Sequence, residues 1–517
     1  MRKINILWVD DEIDLLKPHI LFLENKGYNV FTSNNGNEAL DILKTNPFDI
    51  VFLDEQMPGI SGIETLGFIK SAHPNIPVIM ITKSEEEKIM EDAIGSNISD
   101  YLIKPVNPNQ ILLCLKKNLE NKKLISEKTA FDYQQEFRGI GLKLSENLNT
   151  EQWIEIYKKL VYWELELEKS NDSGMIEVLK LQKEEANNAF SKFIEKNYFK
   201  WLHNMSDDIP IMSHTLVKKK LFPLLKTNKP VFFLVIDNFR YDQWKTFQPV
   251  LEEYFRVVKD EIYYSILPTT TQYARNALFA GLMPSEIEKK YPKYWVNETD
   301  NKGRNQYEDE LFSELLKRFG INIKHSYNKV TNLNVGKKLV DTLPNLLKNK
   351  LNIIVYNFID MLSHARTEME IIRELANDES AYRSLTFSWF EHSHLFQIIK
   401  FISENNAELI ITTDHGSIRT YYPVKVVGDK STNTNLRYKI GKSLNYNKKE
   451  VFEVVNPDDA YLPKNFVSAK YIFAKKNNFF AYPNNYNYYV NYYKNTFQHG
   501  GISLEEMLIP IIHLKAK

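Results

Sequence analysis

The side chains able to do chemistry fall into two sets, and nearly all of them stand where an apolar run stops. In the first set, Asp10 and Asp11 follow residues 4–9, and Asp54 follows 50–53. Thr82 follows 78–81, and Lys104 follows 101–103. Carboxylates brought together repel one another unless a cation joins them, and an all-oxygen donor set suits octahedral Mg²⁺. A nearby lysine supplies a point charge for a phosphoryl group, and a threonine hydroxyl supplies a hydrogen bond. In the second set, Asp237 follows residues 231–236. Asp360 follows 352–359 and precedes His364 by four positions, a spacing that turns both side chains to one point if a helix or turn begins at Met361. Asp414 and His415 follow 409–413, and His499 opens a His-Gly-Gly turn. Residues 267–281 carry three successive threonines, Thr269, Thr270 and Thr271, ahead of a helical pattern. Backbone N–H groups and the positive dipole end of such a helix make this a phosphate-binding position. Imidazoles and carboxylates without thiolates favour Zn²⁺ or Mn²⁺ over Ca²⁺.

Strand-end placement requires sheets with crossover helices, and the chain supplies them in two stretches. Residues 1–120 alternate short apolar runs with amphipathic segments, the pattern of a doubly wound parallel sheet. Residues 121–207 are nearly free of Gly and Pro and read as long helices. Trp153, Ile156, Tyr157, Leu160, Val161 and Glu164 share one helical face there, and Asn149-Thr150-Glu151 offers a cap. We expect a helical-bundle linker between the end domains. Residues 208–517 return to alternating strand and helix signals, so the fold class is α/β multidomain. The tract 479–493 is rich in Asn and Tyr and reads as an edge or a substrate-facing surface.

Composition excludes several classes. A single cysteine, Cys114, in 517 residues rules out a disulfide scaffold and a Cys-rich zinc site. With 43% hydrophobic residues and 18 Gly the chain is neither disordered nor fibrous. No apolar run reaches membrane-span length, and the N-terminus turns acidic too early for a signal peptide, so the expected location is cytoplasmic. The 66 basic and 66 acidic residues are unevenly placed: residues 1–120 hold 18 acids against 11 bases. The remainder is net basic, which is compatible with a polyanionic substrate. Among lesser candidates, His392 and His394 read as packing or surface residues, and Arg419 and Lys425 as a basic rim.

The first set resembles a two-component receiver domain. The resemblance rests on Asp10-Asp11, the run Asp54-Glu55-Gln56-Met57-Pro58-Gly59-Ile60-Ser61-Gly62, Thr82, Tyr101 and Lys104-Pro105. It implies a (βα)5 fold with Asp54 as phospho-acceptor. Asp11 and Asp54 would hold Mg²⁺, Asp10 acting through water and Gln56 through its backbone carbonyl. Thr82 and Tyr101 would be the switch pair, with Lys104 on the phosphoryl group. Lys83 stands where receivers often carry a small residue, which bears on the lifetime of the phosphorylated state.

The second set is weak residue by residue, but its order is distinctive: Asp, Thr, Asp-x-x-x-His, Asp-His, His. It resembles the alkaline phosphatase superfamily of two-metal phosphohydrolases, in its PglZ branch, over about residues 208–517. The resemblance implies one metal held by Asp237, Thr271, Asp414 and His415, and a second held by Asp360, His364 and His499. Related phosphodiesterases place the nucleophile ten residues before a glycine, and Gly281 then selects Thr271 ahead of Thr270 and Thr269. Arg275 either touches a phosphate oxygen or pairs with a nearby acid.

Receiver, helical linker and hydrolase in this order resemble the PorX-type family of response regulators. That resemblance implies hydrolysis of nucleotide phosphodiesters, including cyclic or linear oligonucleotides. It also implies a sensor histidine kinase partner, a homodimer formed on phosphorylation, and a link to type IX secretion and gliding. No helix-turn-helix with a basic recognition helix follows residue 120, so a DNA-binding output is not expected. The alternative is a signalling scaffold whose metals are structural and which binds a sigma factor or secretion component. The presence of Thr271 argues against it, because a structural metal site needs no nucleophile.

Overall fold

The computed structural model describes residues 4–74, 76–83, 98–170, 172–297, 303, 305–429, 432–464, 466 and 468–517. The chain divides into two compact units, Met1–Tyr133 with Ser170–Asp172, and Gln134–Lys169 with Ser173–Lys517.

The first unit is a five-stranded parallel sheet. Its strands are β1 (Asn5–Val9), β2 (Asn29–Ser33), β3 (Ile50–Asp54), β4 (Val78–Thr82) and β5 (Asp100–Ile103), in the order β2-β1-β3-β4-β5. Side chains alternate faces along a strand. Leu7, Val9, Val51 and Leu53 therefore enter one core with Ala39, Leu43, Leu66 and Ile69 from the helices Gly36–Thr45 and Gly62–Ala72. Ile6, Trp8, Ile50 and Phe52 enter the other, with Leu23, Ile111 and Leu115 from the helices Lys17–Asn25 and Pro108–Leu115. Both faces are covered, and each fully buried Ile or Leu contributes about 1.5–3 kcal/mol. Cys114 is a free thiol buried in the second core.

The second unit is built on a mixed six-stranded sheet. Its strands are β6 (Val231–Ile236), β7 (Phe255–Tyr264), β8 (His325–Val330), β9 (Leu351–Tyr356), β10 (Glu408–Thr412) and β11 (Leu508–Ala516), in the order β7-β11-β10-β6-β9-β8. The run β10-β6-β9-β8 is parallel, and β11 is antiparallel to both β10 and β7. Every residue of β6, β9 and β10 is buried, which explains their continuous rather than alternating hydrophobicity. A parallel run gathers strand C-terminal ends along one edge, where functional groups collect.

The helices Thr150–Ser170 and Ser173–Leu202 lie almost entirely in this unit, not in a free-standing bundle. Trp153 meets Phe190 edge-on at 5.2 Å, and Trp201 meets Tyr264 of β7 at 5.4 Å. Polar residues on their inner faces find buried partners. Arg383 Nη1 lies 3.0 Å from Glu164 and 2.7 Å from Asp242, and Asn187 Nδ2 donates to Glu505 at 3.1 Å.

Candidate functional site

In the first unit, Asp10 follows β1, Asp54 ends β3, Thr82 ends β4 and Lys104 follows β5. Carboxylate oxygens of Asp10, Asp11 and Asp54 lie within 4.8 Å of one another. Lys104 Nζ sits 2.9 Å from Asp10 Oδ2 and 3.1 Å from Asp54 Oδ2. Burial pushes the Asp54 carboxyl up to about 6; Lys104 works against this, and Asp10 and Asp11 work with it. Burial also acts against the Lys104 charge, but Asp10 and Asp54 outweigh it and hold the ammonium above its ordinary range. Three carboxylates facing one ammonium fit a divalent cation with oxygen ligands. Thr82 Oγ1 donates to Glu55 Oε2 at 2.5 Å, a partner that sequence reasoning missed. Tyr101 is exposed, as is the Gln56 side chain. Lys83 points to Glu12, 3.8 Å away.

In the second unit, Asp237 follows β6, Asp414 follows β10, and Asp360 lies in the helix Phe358–Glu368 just beyond β9. That helix starts three residues earlier than expected, so Asp360 is already in its first turn. Asp360 and His364 then share a face, with His364 Nε2 3.4 Å from Asp360 Oδ2. His499 Nε2 approaches Asp360 Oδ1 at 3.6 Å, and its ring stacks on His415 at 4.3 Å. Two glycines make the loops possible. At Gly416 a Cβ would lie 2.0 Å from the Glu505 carbonyl, and Gly500 has φ +123°.

The three threonines part company. Thr269 Oγ1 donates to the Gly501 carbonyl and accepts from the Gly500 N–H, both at 3.0 Å. Thr270 Oγ1 is buried without a hydrogen-bond partner among the described residues. Thr271 begins the helical segments Thr271–Arg275 and Asn276–Ala280. Its Oγ1 lies 3.3 Å from Asp237 Oδ1 and 3.1 Å from His415 Nε2. His415 Nδ1 sits 3.1 Å from the Gly416 carbonyl, so that nitrogen is the donor there and Nε2 is the one that faces Thr271.

Ligand-type atoms of Asp237, Asp414 and His415 cluster within 4.8 Å, and so do those of Asp360, His415 and His499. His364 stands beside Asp360 at the more open end. Asp414 Oδ2 and His499 Nδ1 are buried without hydrogen bonds among the described residues, which fits a donor set arranged for cations. The electrostatics agree. Burial drives Asp237 far above the usual carboxylate range, Arg275 opposing and Asp414 adding to the rise. Asp414 and Asp360 are held low against their burial, the first by His415 and Arg275, the second by its bond to His364 and the nearby His499. His499 falls to about 3, through burial and the adjacent His415. Carboxylates pushed apart in this way mark a site whose charge needs a counter-ion.

Arg275 does not face open space. Its guanidinium is fully buried, 3.0 Å from Asp237 Oδ2 and 2.8 Å from Glu308 Oε1. The substrate-contact reading therefore gives way to the pairing one, and Arg275 orients Asp237. Glu308, 33 residues away, carried no sequence signal. Asn238 was also missed: its left-handed backbone (φ 61°) lets Nδ2 reach Asp360 Oδ1 at 3.3 Å, tying β6 to the second cluster. Its place directly after Asp237 at a strand end was the available clue. His392 is exposed and bonded to the Ser388 carbonyl, as expected of a surface residue.

Comparison with known proteins finds three matching segments, where the structure has two compact units. Residues 6–116 match the response regulator receiver domain, 123–202 the PorX response regulator linker domain, and 216–514 the BREX system PglZ alkaline phosphatase-like domain. The chain belongs to the PglZ alkaline phosphatase-like family. Receiver, linker and PglZ-like domain in this order are the PorX-type response-regulator architecture. Curated relatives resemble the receiver segment. The transcriptional regulatory protein ZraR of Klebsiella oxytoca is 36% identical over 123 residues, 24% of this chain and 28% of that protein. The alginate biosynthesis transcriptional regulatory protein AlgB of Pseudomonas putida is 33% identical over 127 residues, 25% and 28% of the two chains. The chain thus spans under a third of the length of these relatives. Among solved structures, a CheY-like receiver domain protein from Methanospirillum hungatei JF-1 is 27% identical, covering 23% of this chain and 96% of that one with a TM-score of 0.23. A receiver domain protein from Clostridium thermocellum is 30% identical, covering 23% and 98% with a TM-score of 0.22. Among the described residues no helix is long and apolar enough to cross a membrane.

Proposed function

We propose that the PglZ-like domain is a metal-dependent phosphodiesterase that cleaves nucleotide phosphodiesters, cyclic or linear, under the control of phosphorylation at Asp54. The observation that carries this reading is the Thr271 hydroxyl, set between Asp237 Oδ1 and His415 Nε2 at the head of a helix. Asp237, Thr271, Asp414 and His415 would hold one Zn²⁺ or Mn²⁺, and Asp360, His364 and His499 the other. Such ions supply Lewis acidity that lowers the pKa of a bound hydroxyl and screens phosphate charge. The residues of the chain do the positioning. Arg275 holds one oxygen of Asp237, leaving Oδ1 to meet Thr271. Asn238 and His364 fix Asp360 from two sides. Thr271 Oγ1 attacks phosphorus as its proton is lost, the P–O bond to the first alcohol breaks and that alkoxide leaves protonated, and water then cleaves the resulting Thr271 phosphodiester to return the hydroxyl and release a phosphomonoester. At the receiver, Lys104 would meet the phosphoryl group on Asp54, and Asp10 (through water), Asp11, Asp54 and the Gln56 carbonyl would hold Mg²⁺. The added charge then biases dimerisation. The test is Thr271→Val, measured on bis-nitrophenyl phosphate. Turnover should fall about a thousandfold or more, a barrier rise of about 4 kcal/mol, with metal content and melting little changed. Unchanged turnover would remove Thr271 from the reaction.

A further inference from the structure

A cavity of about 560 Å³ opens at the ends of β8 and β9 and at the start of the helix that carries Asp360. Its floor is Val330, the last residue of β8, and Tyr356, the last residue of β9; Phe358 and Trp389 form a wall. Phe358 and Trp389 stack at 3.8 Å and 6°, so the wall is a preassembled aromatic surface. Asn332 and Asn334, both exposed, stand at the rim. The Asn332 Oδ1 caps the helix Leu333–Leu346 by accepting from the Val335 N–H, which leaves its Nδ2 hydrogens as donors.

The strand order places this cavity. Ligand-type residues follow β10, β6 and β9, and β8 is the next strand along the same edge. The Asp237 N–H donates to the Tyr356 carbonyl at 2.9 Å, so the floor is hydrogen-bonded to the strand end that carries Asp237. Phe358 and Met361, which line the cavity, flank Asp360 in one helix, and neighbouring strands lie about 4.8 Å apart, so the cavity and the Asp360 end of the cluster share one edge of the sheet. An aromatic wall with amide groups at its rim suits a planar, hydrogen-bonding ring. Bases stack on aromatic side chains with little sequence preference.

We infer that this cavity receives the base of the nucleotide whose phosphate lies at Thr271, an assignment that rests on the phosphodiesterase reading. The test is calorimetric titration of the full chain, in zinc-containing buffer, with AMP and with ribose 5-phosphate. AMP should bind about fivefold to a hundredfold tighter, the range expected of one stacked base. Trp389→Leu should erase that ratio while leaving ribose 5-phosphate affinity unchanged. Leu333→Trp, at an exposed position on the rim, should do the same by filling the entrance. Equal affinity for the two ligands in the parent chain overturns the base pocket, and if bis-nitrophenyl phosphate is still cleaved the phosphodiesterase reading survives. Absence of binding by either ligand together with absence of cleavage overturns both.

Discussion

Replacing Arg275 by Met removes a cation that three buried carboxylates share. The guanidinium is 1% exposed, 3.0 Å from Asp237, 2.8 Å from Glu308 and 3.8 Å from Asp414. Leaving one partner of a buried ion pair uncompensated costs about 3–5 kcal/mol. Glu308 keeps Lys329 at 3.0 Å and the Tyr327 hydroxyl, so the lower end applies, about 3 kcal/mol. The second unit has about 380 residues, and at about 2.1 cal/mol/K per residue its unfolding entropy near the midpoint is about 0.8 kcal/mol/K. The melting temperature should therefore drop by about 4 °C. Six of the seven tryptophans lie in this unit, so intrinsic emission follows its transition. Adding Zn²⁺ should shrink the deficit, because a bound cation compensates Asp237 and Asp414. A variant that melts like the parent but shows a raised KM would refute this account and return Arg275 to the substrate.

Asp54→Ala should abolish the rise in dimer fraction that beryllofluoride produces, read by light scattering; a variant that still dimerises would detach dimerisation from Asp54. Thr270→Val should keep most of the hydrolytic activity, because its hydroxyl touches neither Asp237 nor His415, and a thousandfold loss would shift the nucleophile by one residue. Burial lowers the His214 imidazole to about 4, below the ordinary 6.5 of the unfolded chain. Its stabilising effect is thus complete above pH 6.5 and is lost as pH falls through 4, about 3 kcal/mol in all. His214→Gln should flatten the fall of denaturant midpoint over that interval, and an unchanged slope would mean other groups carry it.

The sequence alone determined the two α/β units, and it singled out the Asp, Thr and His side chains that the structure gathers at strand ends. Apolar runs that stop abruptly at Asp or His are strand ends, and strand ends of a parallel run meet by geometry. The order of those residues carried the family, because it reflects how the chain threads the sheet. Tertiary structure decided the rest. Three adjacent threonines look alike in sequence; the helix begins at Thr271, and only that hydroxyl falls between Asp237 and His415. The direction of Arg275 depended on Glu308, a partner that local pattern cannot supply across 33 residues. The helices at 150–202 read as a linker bundle because nothing local shows what covers the face that carries Glu164 or the one that carries Asn187. Those residues are buried because Arg383 and Glu505, more than two hundred positions away, supply their hydrogen bonds. Local periodicity records which side chains avoid water, whereas pairing between buried polar groups is set by packing between segments distant in the chain.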